Sequence, residues 1–385
     1  MKSKMFFVAV NFLFWVALYL YVPTLPTYIK TKTVLLSKVG LVLSMYGLWM
    51  ACSRLPMGIA VDSTGRGKPF IMAGLFIAAF GAVIMGAGNS LWMLTAGRAF
   101  TGIAVATWVP LLVVFSTFFK PDQAILASSL LTVSSSVGRM VATSLNGFLN
   151  GIGGYALAYY CAGVTGVVAI ILMSFVSEKN QLRTGISIRS IAGLFLRKDV
   201  ILPSLLSFVV HYGDWSVTFG FLPILAHELG ASDVVKSMLI SLNIAAITSG
   251  NLLNTFLLKR ARPLSFLFSG VLIFFFGTLC ISRASSLPFL FTGTMCMGFA
   301  FGIMYPILLG MSIQKVDRRL RTTAMGIHQS VYAVGIFTGP WVSGIIADAI
   351  GLRRTFSVTG FFFLIASFVL IVVLRKQWEG NERNL

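Results

Sequence analysis

The chain has 385 residues, of which 57% are hydrophobic and only 11% charged, with a formal net charge of +19 and a mean hydropathy of +0.89. Soluble domains carry about 25% charged residues, so water is not the main solvent of this chain, and its apolar runs are far too long for barrel strands. That leaves membrane-spanning helices, and the basic excess then belongs to membrane topology and gives no reason to expect nucleic acid as a partner.

The start, Met1-Lys2-Ser3-Lys4 and an apolar run to Ile29, contains Pro23 and Pro26 and no small-residue cleavage site. It reads as a first membrane helix and not as a secretory signal. Further apolar segments follow at 38–61, 69–87, 90–118, 123–149, 154–177, 200–226, 233–258, 263–283, 285–314, 322–350 and 351–375. The expectation is an all-α integral membrane protein of twelve transmembrane helices, the first over 5–29. Cys52, Cys161, Cys280 and Cys296 are scattered through these segments without metal-ligand or disulfide spacing, so no metal, cofactor or disulfide framework is expected.

An internal repeat divides the chain. At an offset of 196, Gly97, Gly102, Ala104 and Pro110 fall on Gly293, Gly298, Ala300 and Pro306. At 197, Gly138, Gly147 and Pro26 fall on Gly335, Gly344 and Pro223, and at 192 Gly58 and Asp62 fall on Gly250 and Asn254. Such a repeat is parallel, six helices plus six. The expected domains are a bundle over 1–177, a linker over 178–199 and a second bundle over 200–385. The linker mixes Ile186, Ile188, Ile191, Leu194 and Phe195 with basic residues and reads as a short interfacial helix. With both termini cytoplasmic, 20 lysines and arginines lie on the inner side and 7 on the outer, among them Lys236, with three inside helices. Cytoplasmic loops carry the basic excess, which makes this a multi-pass protein of the cell membrane with both termini inside.

The turn after the second segment reads Gly58-Ile-Ala-Val-Asp62-Ser-Thr-Gly65-Arg66-Gly-Lys68. Here the chain resembles the major facilitator superfamily, whose hallmark inner loop has a glycine, an aspartate four residues on, then glycine and basic residues. Gly58 is expected to let its helix approach a neighbour, and Asp62 to face a helix N-terminus and pair with Arg66, forming a latch. Ser63 and Gly67 stand where the family has basic residues, so a weaker latch is expected. The second copy, Gly250 to Asn254 followed by Lys259, Arg260 and Arg262, is degenerate. The eleventh segment carries Gly335-Ile-Phe-Thr-Gly339-Pro340, similar to the family's glycine-proline bend motif. The fifth has an eroded copy, Gly138-Arg139-Met-Val-Ala142, and an intact copy there is associated in this family with exporters that exchange substrate for protons. Gly97-Arg98-Ala-Phe-Thr-Gly102 resembles its arginine-bearing motif in the fourth helix. The resemblance implies a transporter with a small-molecule substrate, working by alternating access as a monomer.

An ionisable residue at membrane depth is a functional candidate by default. At about 1.5 Å per residue, Arg98 lies ~12 Å below the outer end of its segment and Arg139 ~24 Å above the inner end of the fifth. His211 and Asp214, three apart on one face of the seventh, lie ~17 and ~21 Å up by the same rise. Polar stripes accompany them, Thr132, Ser136, Arg139, Thr143 and Asn146 on the fifth segment and Ser204, Ser207, His211, Asp214 and Thr218 on the seventh. The repeat counterparts of the two arginines are Thr294 and Ile336, so the halves differ in chemistry.

Arg98, Arg139, His211 and Asp214 are therefore the candidates for substrate binding or coupling, with Asp214 foremost for protons. Each has a bland alternative: an ion pair of Arg139 with Asp214, or structural stabilisation by Arg98. His328 fits a hydrogen-bonded core histidine better than a gate. Asn11, Trp15 and Tyr19 follow one face of the first helix, where packing competes with cavity lining. Arg54 is expected to snorkel to the inner surface, and Asp348 to pair with Arg353 or Arg354 at the outer one.

The expected function is secondary, proton-coupled transport of a small organic solute, leaning to an anionic or carboxylate-bearing one because two buried arginines lack acidic partners in their half. A proton-driven exporter of amphipathic compounds competes. An intramembrane enzyme would need a third ligand or a nucleophile elbow beside His211 and Asp214, and none accompanies them. A non-transporting receptor would not need the retained glycine and proline break points.

Overall fold

A computed structural model describes residues 2–120, 123–178, 188–257, 263–317 and 320–382. Among them every regular element is helical: α1 (Lys2–Tyr19), α2 (Leu25–Lys30), α3 (Leu36–Thr64), α4 (Lys68–Ala87), α5 (Leu91–Val105), α6 (Trp108–Ser116), α7 (Ala124–Ser174), α8 (Ile188–Phe195), α9 (Lys198–Ser216), α10 (Leu222–Glu228), α11 (Asp233–Leu257), α12 (Pro263–Ser282), α13 (Leu287–Gln314), α14 (Arg321–Ile350) and α15 (Leu352–Glu382). Ten stretches of the described residues are long and apolar enough to cross a membrane. One of them, Leu126–Ser174, is two helices joined at Gly153 and Gly154. Helix α11, too polar for that count, has 25 residues, about 37 Å at 1.5 Å per residue. The twelve expected crossings are thus each represented by a helical stretch.

Proline explains where long crossings break. Pro26 cannot donate a backbone hydrogen bond, and the chain ahead of it forms a 3-10 turn at Val22–Thr24 that separates α1 from α2. Pro223, its repeat counterpart, follows a π-helical turn at Val217–Phe221 between α9 and α10. In the fourth crossing Pro110 follows the turn at Ala106 and Thr107 that separates α5 from α6. The repeat extends to backbone conformation. Gly154 and Gly351, 197 apart, both have positive φ, +67° and +84°, a region that glycine enters without penalty. Each turns the chain from one crossing into the next, Gly154 within α7 and Gly351 between α14 and α15.

Among the described residues two compact units can be distinguished: Met1–Val34, Leu41–Ser187 and Ala231–Ser241 form the first, and Leu35–Gly40, Ile188–Gly230 and Leu242–Leu385 the second. In the first, α7 packs on α1 and α4; in the second, α14 packs on α9, and α12 on α13 and α15. Helix association in lipid relies on close van der Waals contact, which favours small residues. A Cβ on Gly138 would lie 2.7 Å from the Phe12 carbonyl oxygen, and one on Gly335 would lie 2.4 Å from that of Phe208. The same glycine of the repeat therefore brings α7 against α1 and α14 against α9.

Candidate functional site

In the first unit the close approach at Gly138 sets Arg139 beside the aromatic face of α1. Its guanidinium carbon lies 5.1 Å from the Trp15 ring centroid and 5.8 Å from that of Tyr19. Trp15 is packed in turn against Trp108 at 5.5 Å and Phe14 at 5.7 Å. Arg139 Nη2 donates to Ser136 Oγ at 3.4 Å, its Nε has no hydrogen-bond partner, and no carboxylate pairs with it among the described residues. Asn11, on the same face of α1, is committed to packing. Its Nδ2 donates to Leu131 O at 3.0 Å and Ser135 Oγ at 3.1 Å.

Arg98 is 1% exposed. Gly102, one turn on, brings α5 against the backbone of α3 at Tyr46, and the Arg98 guanidinium carbon sits 4.5 Å from the Tyr46 ring centroid. Its Nε and Nη1 have no partner among the described residues. A cation–π contact is worth about 0.5–2 kcal/mol, whereas taking a charge out of water costs several. The ring alone does not offset that cost.

The polar stripe on α7 ends in a network that the basic-residue count had assigned to an outer loop. Lys236 is 1% exposed, bonded to Asp233 at 2.6 Å and to Thr27 Oγ1 at 3.3 Å. Asn150 Nδ2 donates to Asp233 Oδ2 at 2.7 Å and Thr24 Oγ1 at 3.0 Å, and Thr24 Oγ1 donates to Asn146 Oδ1 at 2.8 Å. Thr143 and Ser241 share a hydrogen bond at 2.7 Å. The available signal was the spacing of three between Asp233 and Lys236, which puts both on one helical face. Thr132, at the other end of the stripe, is exposed.

In the second unit the whole stripe of the seventh crossing is buried, Ser204, Ser207, His211 and Asp214 on α9 and Thr218 in the π-helical turn after it. His328, from α14, is held by two serines, Nδ1 to Ser204 Oγ at 3.0 Å and Nε2 to Ser207 Oγ at 3.1 Å. Ser204 already donates its one hydrogen to Val200 O at 2.6 Å, so Nδ1 donates to Ser204, and in the neutral ring Nε2 accepts from Ser207. Both nitrogens are thereby satisfied, and the ring ties α14 to α9. His211 Nδ1 donates to the Ser207 carbonyl at 2.8 Å. Its ring stacks on Tyr332 at 4.0 Å and meets the edges of Phe301 and Tyr305 at 4.9 and 5.4 Å. Asp214, one turn on, is 1% exposed with Oδ1 unpartnered among the described residues, and it stands just ahead of the π-helical turn, a feature frequent at functional sites. No group of three metal-ligating side chains occurs among the described residues.

The inner-loop motif is built differently from the expectation. A Cβ on Gly58 would meet nothing within 4 Å, and Asp62 forms no ion pair with Arg66 among the described residues. Arg66 is instead in the turn that Gly65 enters at φ +67°, where its backbone N–H donates to Thr64 Oγ1 at 3.4 Å. Glu178 is the anchoring carboxylate: it accepts from Gly67 N at 2.6 Å and Lys68 N at 3.0 Å, capping α4. Lys68 Nζ donates to Ser174 O and Val176 O at 2.9 and 2.6 Å. A Cβ at Gly67 would stand 2.3 Å from Val114 Cγ2, which explains glycine where the family has a basic residue. In the second copy Gly250 meets the Phe299 carbonyl and Asn254 Nδ2 donates to Ile303 O at 2.6 Å; Lys259, Arg260 and Arg262 lie outside the described residues.

Two surface expectations need correcting. Arg54 does not snorkel but is 3% exposed, its Nη2 donating to Val105 O at 3.5 Å. Asp348 pairs with neither arginine. It accepts from Leu36 N and Ser37 N at 2.7 and 2.9 Å, while Arg353 donates to Ala284 O. Free backbone N–H groups at a helix start outcompete a solvated guanidinium for the carboxylate. At the start of α9, Arg197 forks onto Asp199, Nε to Oδ1 at 3.1 Å and Nη2 to Oδ2 at 2.6 Å; that carboxylate raises its basicity above the ordinary arginine value. In the bend motif Gly339 faces the Tyr212 carbonyl, and the Pro340 carbonyl is where a Cβ on Gly40 would fall.

A sequence model described as the Major Facilitator Superfamily matches residues 7–203 and again 204–384. An uncharacterized MFS-type transporter of Methanocaldococcus jannaschii is 19% identical over 361 residues, covering 90% of this chain and 92% of that one. Among solved structures, a bacterial homolog of the human lysosomal transporter Spinster superposes with a TM-score of 0.80 at 16% identity, over 97% of this chain and 96% of that one. The nucleoside transporter NupG gives 0.77 at 14% identity, over 97% and 99%. With two family matches spanning nearly the whole sequence and the fold shared from end to end, the chain belongs to the Major Facilitator Superfamily and is a secondary transporter, not an enzyme.

Proposed function

We propose that this transporter moves a small organic anion coupled to protons, with Arg139 as the group that takes the anion and Asp214 as the group that takes the proton. Alternating access of the two six-helix repeats would carry both across a cell membrane, the chain acting as a monomer with cytoplasmic termini and α8 lying in the interface. The observation that carries the reading is the setting of Arg139. Aromatic rings and one serine hold its guanidinium, and no carboxylate among the described residues neutralises it. A forked cation of this kind is suited to carboxylate oxygens. Asp214 supports the second half of the reading, because a carboxylate that alternates between dry packing and water changes its proton affinity on each passage.

The experiment is uptake into proteoliposomes under an imposed pH gradient. Organic anions, sugars, amino acids and hydrophobic cations are offered in turn, after a thermal-shift screen at about pH 5.5 and 7.5 has chosen ligands that stabilise the folded state. Accumulation of a monocarboxylate above equilibrium, abolished by collapsing the gradient, is the expected result. Accumulation of none, with stabilisation by hydrophobic cations alone, sinks the reading. It would favour the competitor, an exporter of amphipathic compounds, for which the rings of Tyr332, Phe301 and Tyr305 around His211 would be the docking face.

A further inference from the structure

We propose that Arg98 forms a second, separate anion site in the first unit, sized for a small monovalent anion: chloride, or the carboxylate of a molecule no larger than acetate. The inference starts from charge. Helices α1 to α7 contain one carboxylate, Asp62, sixteen residues along α3 from Tyr46, about 24 Å at 1.5 Å per residue. No acidic side chain of α1 to α7 can therefore neutralise it, and Asp233, the carboxylate that α11 adds to this unit, is paired with Lys236. Its environment is also short of acceptors. An arginine offers only donors, and Nε and Nη1 are both buried without a partner among the described residues. The Tyr21 hydroxyl, buried in the same place, lies beside Arg98 and Thr101, so the one polar group next to the guanidinium is neutral.

The surroundings set the size. Tyr46 covers the guanidinium at 4.5 Å, Tyr21 stacks on Tyr159 at 4.7 Å, and Gly102 brings α5 onto the backbone of α3 one turn away. Backbones in contact so close to the charge exclude an organic solute, which limits the occupant to an ion of one to a few atoms. The site shares no residue with the one built on Arg139, Trp15 and Tyr19. It stands whether or not that reading survives.

The test is the melting temperature of detergent-purified protein at constant ionic strength, with gluconate replaced stepwise by chloride or by acetate. The expected result is a saturable rise with at least one of them. The rise persists in Arg139→Ala and is lost, or its midpoint moves more than tenfold, in Arg98→Gln. Chloride alone identifies a halide site, and acetate at equal or lower concentration identifies a carboxylate head group; either supports the proposal. Should Arg98→Gln fail to fold, Tyr21→Phe keeps the cage and removes the hydroxyl beside the guanidinium, and its midpoint is expected to move three- to tenfold. No rise with either anion in the wild-type protein overturns the site. So does an unchanged midpoint in Arg98→Gln, or in Tyr21→Phe where Arg98→Gln cannot be made.

Discussion

The two units use one scaffold for opposite chemistry. Gly138 and Gly335 perform the same close approach, and Gly154 and Gly351 make the same left-handed turn between crossings. Pro26 and Pro223 each follow a local departure from the α-helix. Yet the first unit buries arginines against aromatic rings, whereas the second buries an aspartate and two histidines among serines and tyrosines. The repeat thus constrains backbone and leaves charge free to diverge. A functional asymmetry is to be sought where the repeat fails, at Arg98 against Thr294, Arg139 against Ile336, and Asp214, rather than at the glycines and prolines where it holds.

The largest expected effect tests the acidic side of that asymmetry. In Asp214→Asn, uptake driven by a pH gradient should fall more than a hundredfold, while exchange of substrate across the vesicle without a gradient continues. Normal gradient-driven accumulation by the variant would remove Asp214 from coupling. On the cationic side, Arg139→Ala should weaken the apparent affinity for an anionic solute about ten- to a hundredfold, the equivalent of one charge-assisted hydrogen bond of about 1.5–3 kcal/mol. A neutral analogue of the same shape should lose far less. Equal losses for both would make Arg139 a structural residue.

What could be read from sequence follows the same division. Helix positions, the parallel repeat and the paired break points were legible because each rests on a local rule: apolar length, a missing N–H, a missing Cβ. Partnerships were not. Lys236 looked like a loop cation, and only the fold shows it buried with Asp233, Asn150 and Thr27. Asp348 was matched to nearby arginines, but the backbone N–H groups of Leu36 and Ser37, more than 300 residues away in sequence, hold it. Glu178 attracted no notice, because a carboxylate at the end of a bundle acquires meaning only when a helix start lies against it. The aromatic face of Arg139 fell between these cases: the spacing of Asn11, Trp15 and Tyr19 placed all three on one face of α1, but it did not show that Asn11 faces backbone while the two rings face a cation.

The shared scaffold makes a sharper comparison. Gly138→Leu and Gly335→Leu should destabilise their units by comparable amounts, about 1–3 kcal/mol for an overpacked contact, read as a lowered melting temperature in detergent. A large effect in one and none in the other would show that the repeat is no longer equivalent at its most regular position. His328→Gln tests the second unit's polar core. With both imidazole nitrogens satisfied by serines, the substitution should cost about 1–2 kcal/mol of stability, the scale of one or two hydrogen bonds. The pH dependence of transport should remain unchanged. A shifted pH profile would return His328 to the coupling machinery.

The smallest effect concerns the motif loop. Glu178 accepts from two successive backbone N–H groups at the start of α4, at 2.6 and 3.0 Å, and it is half-exposed, so the surrounding water limits what its charge contributes. In Glu178→Gln one oxygen remains to accept and the charge is lost. The expected cost is about 0.5–1 kcal/mol, in the range for caps and for a carboxylate at a helix N-terminus. Salt should discriminate between the two contributions: if charge dominates, the difference from the wild-type protein shrinks as ionic strength rises. If the hydrogen bonds dominate, it stays constant. Gly67→Ala is the companion substitution, because a Cβ there meets Val114 and displaces the loop from the carboxylate without altering any charge. Destabilisation by Gly67→Ala that persists in the Glu178→Gln background would mean that the glycine serves the packing of α6 alone. Loss of most of it in that background would mean that its purpose is to admit Glu178 to the helix start.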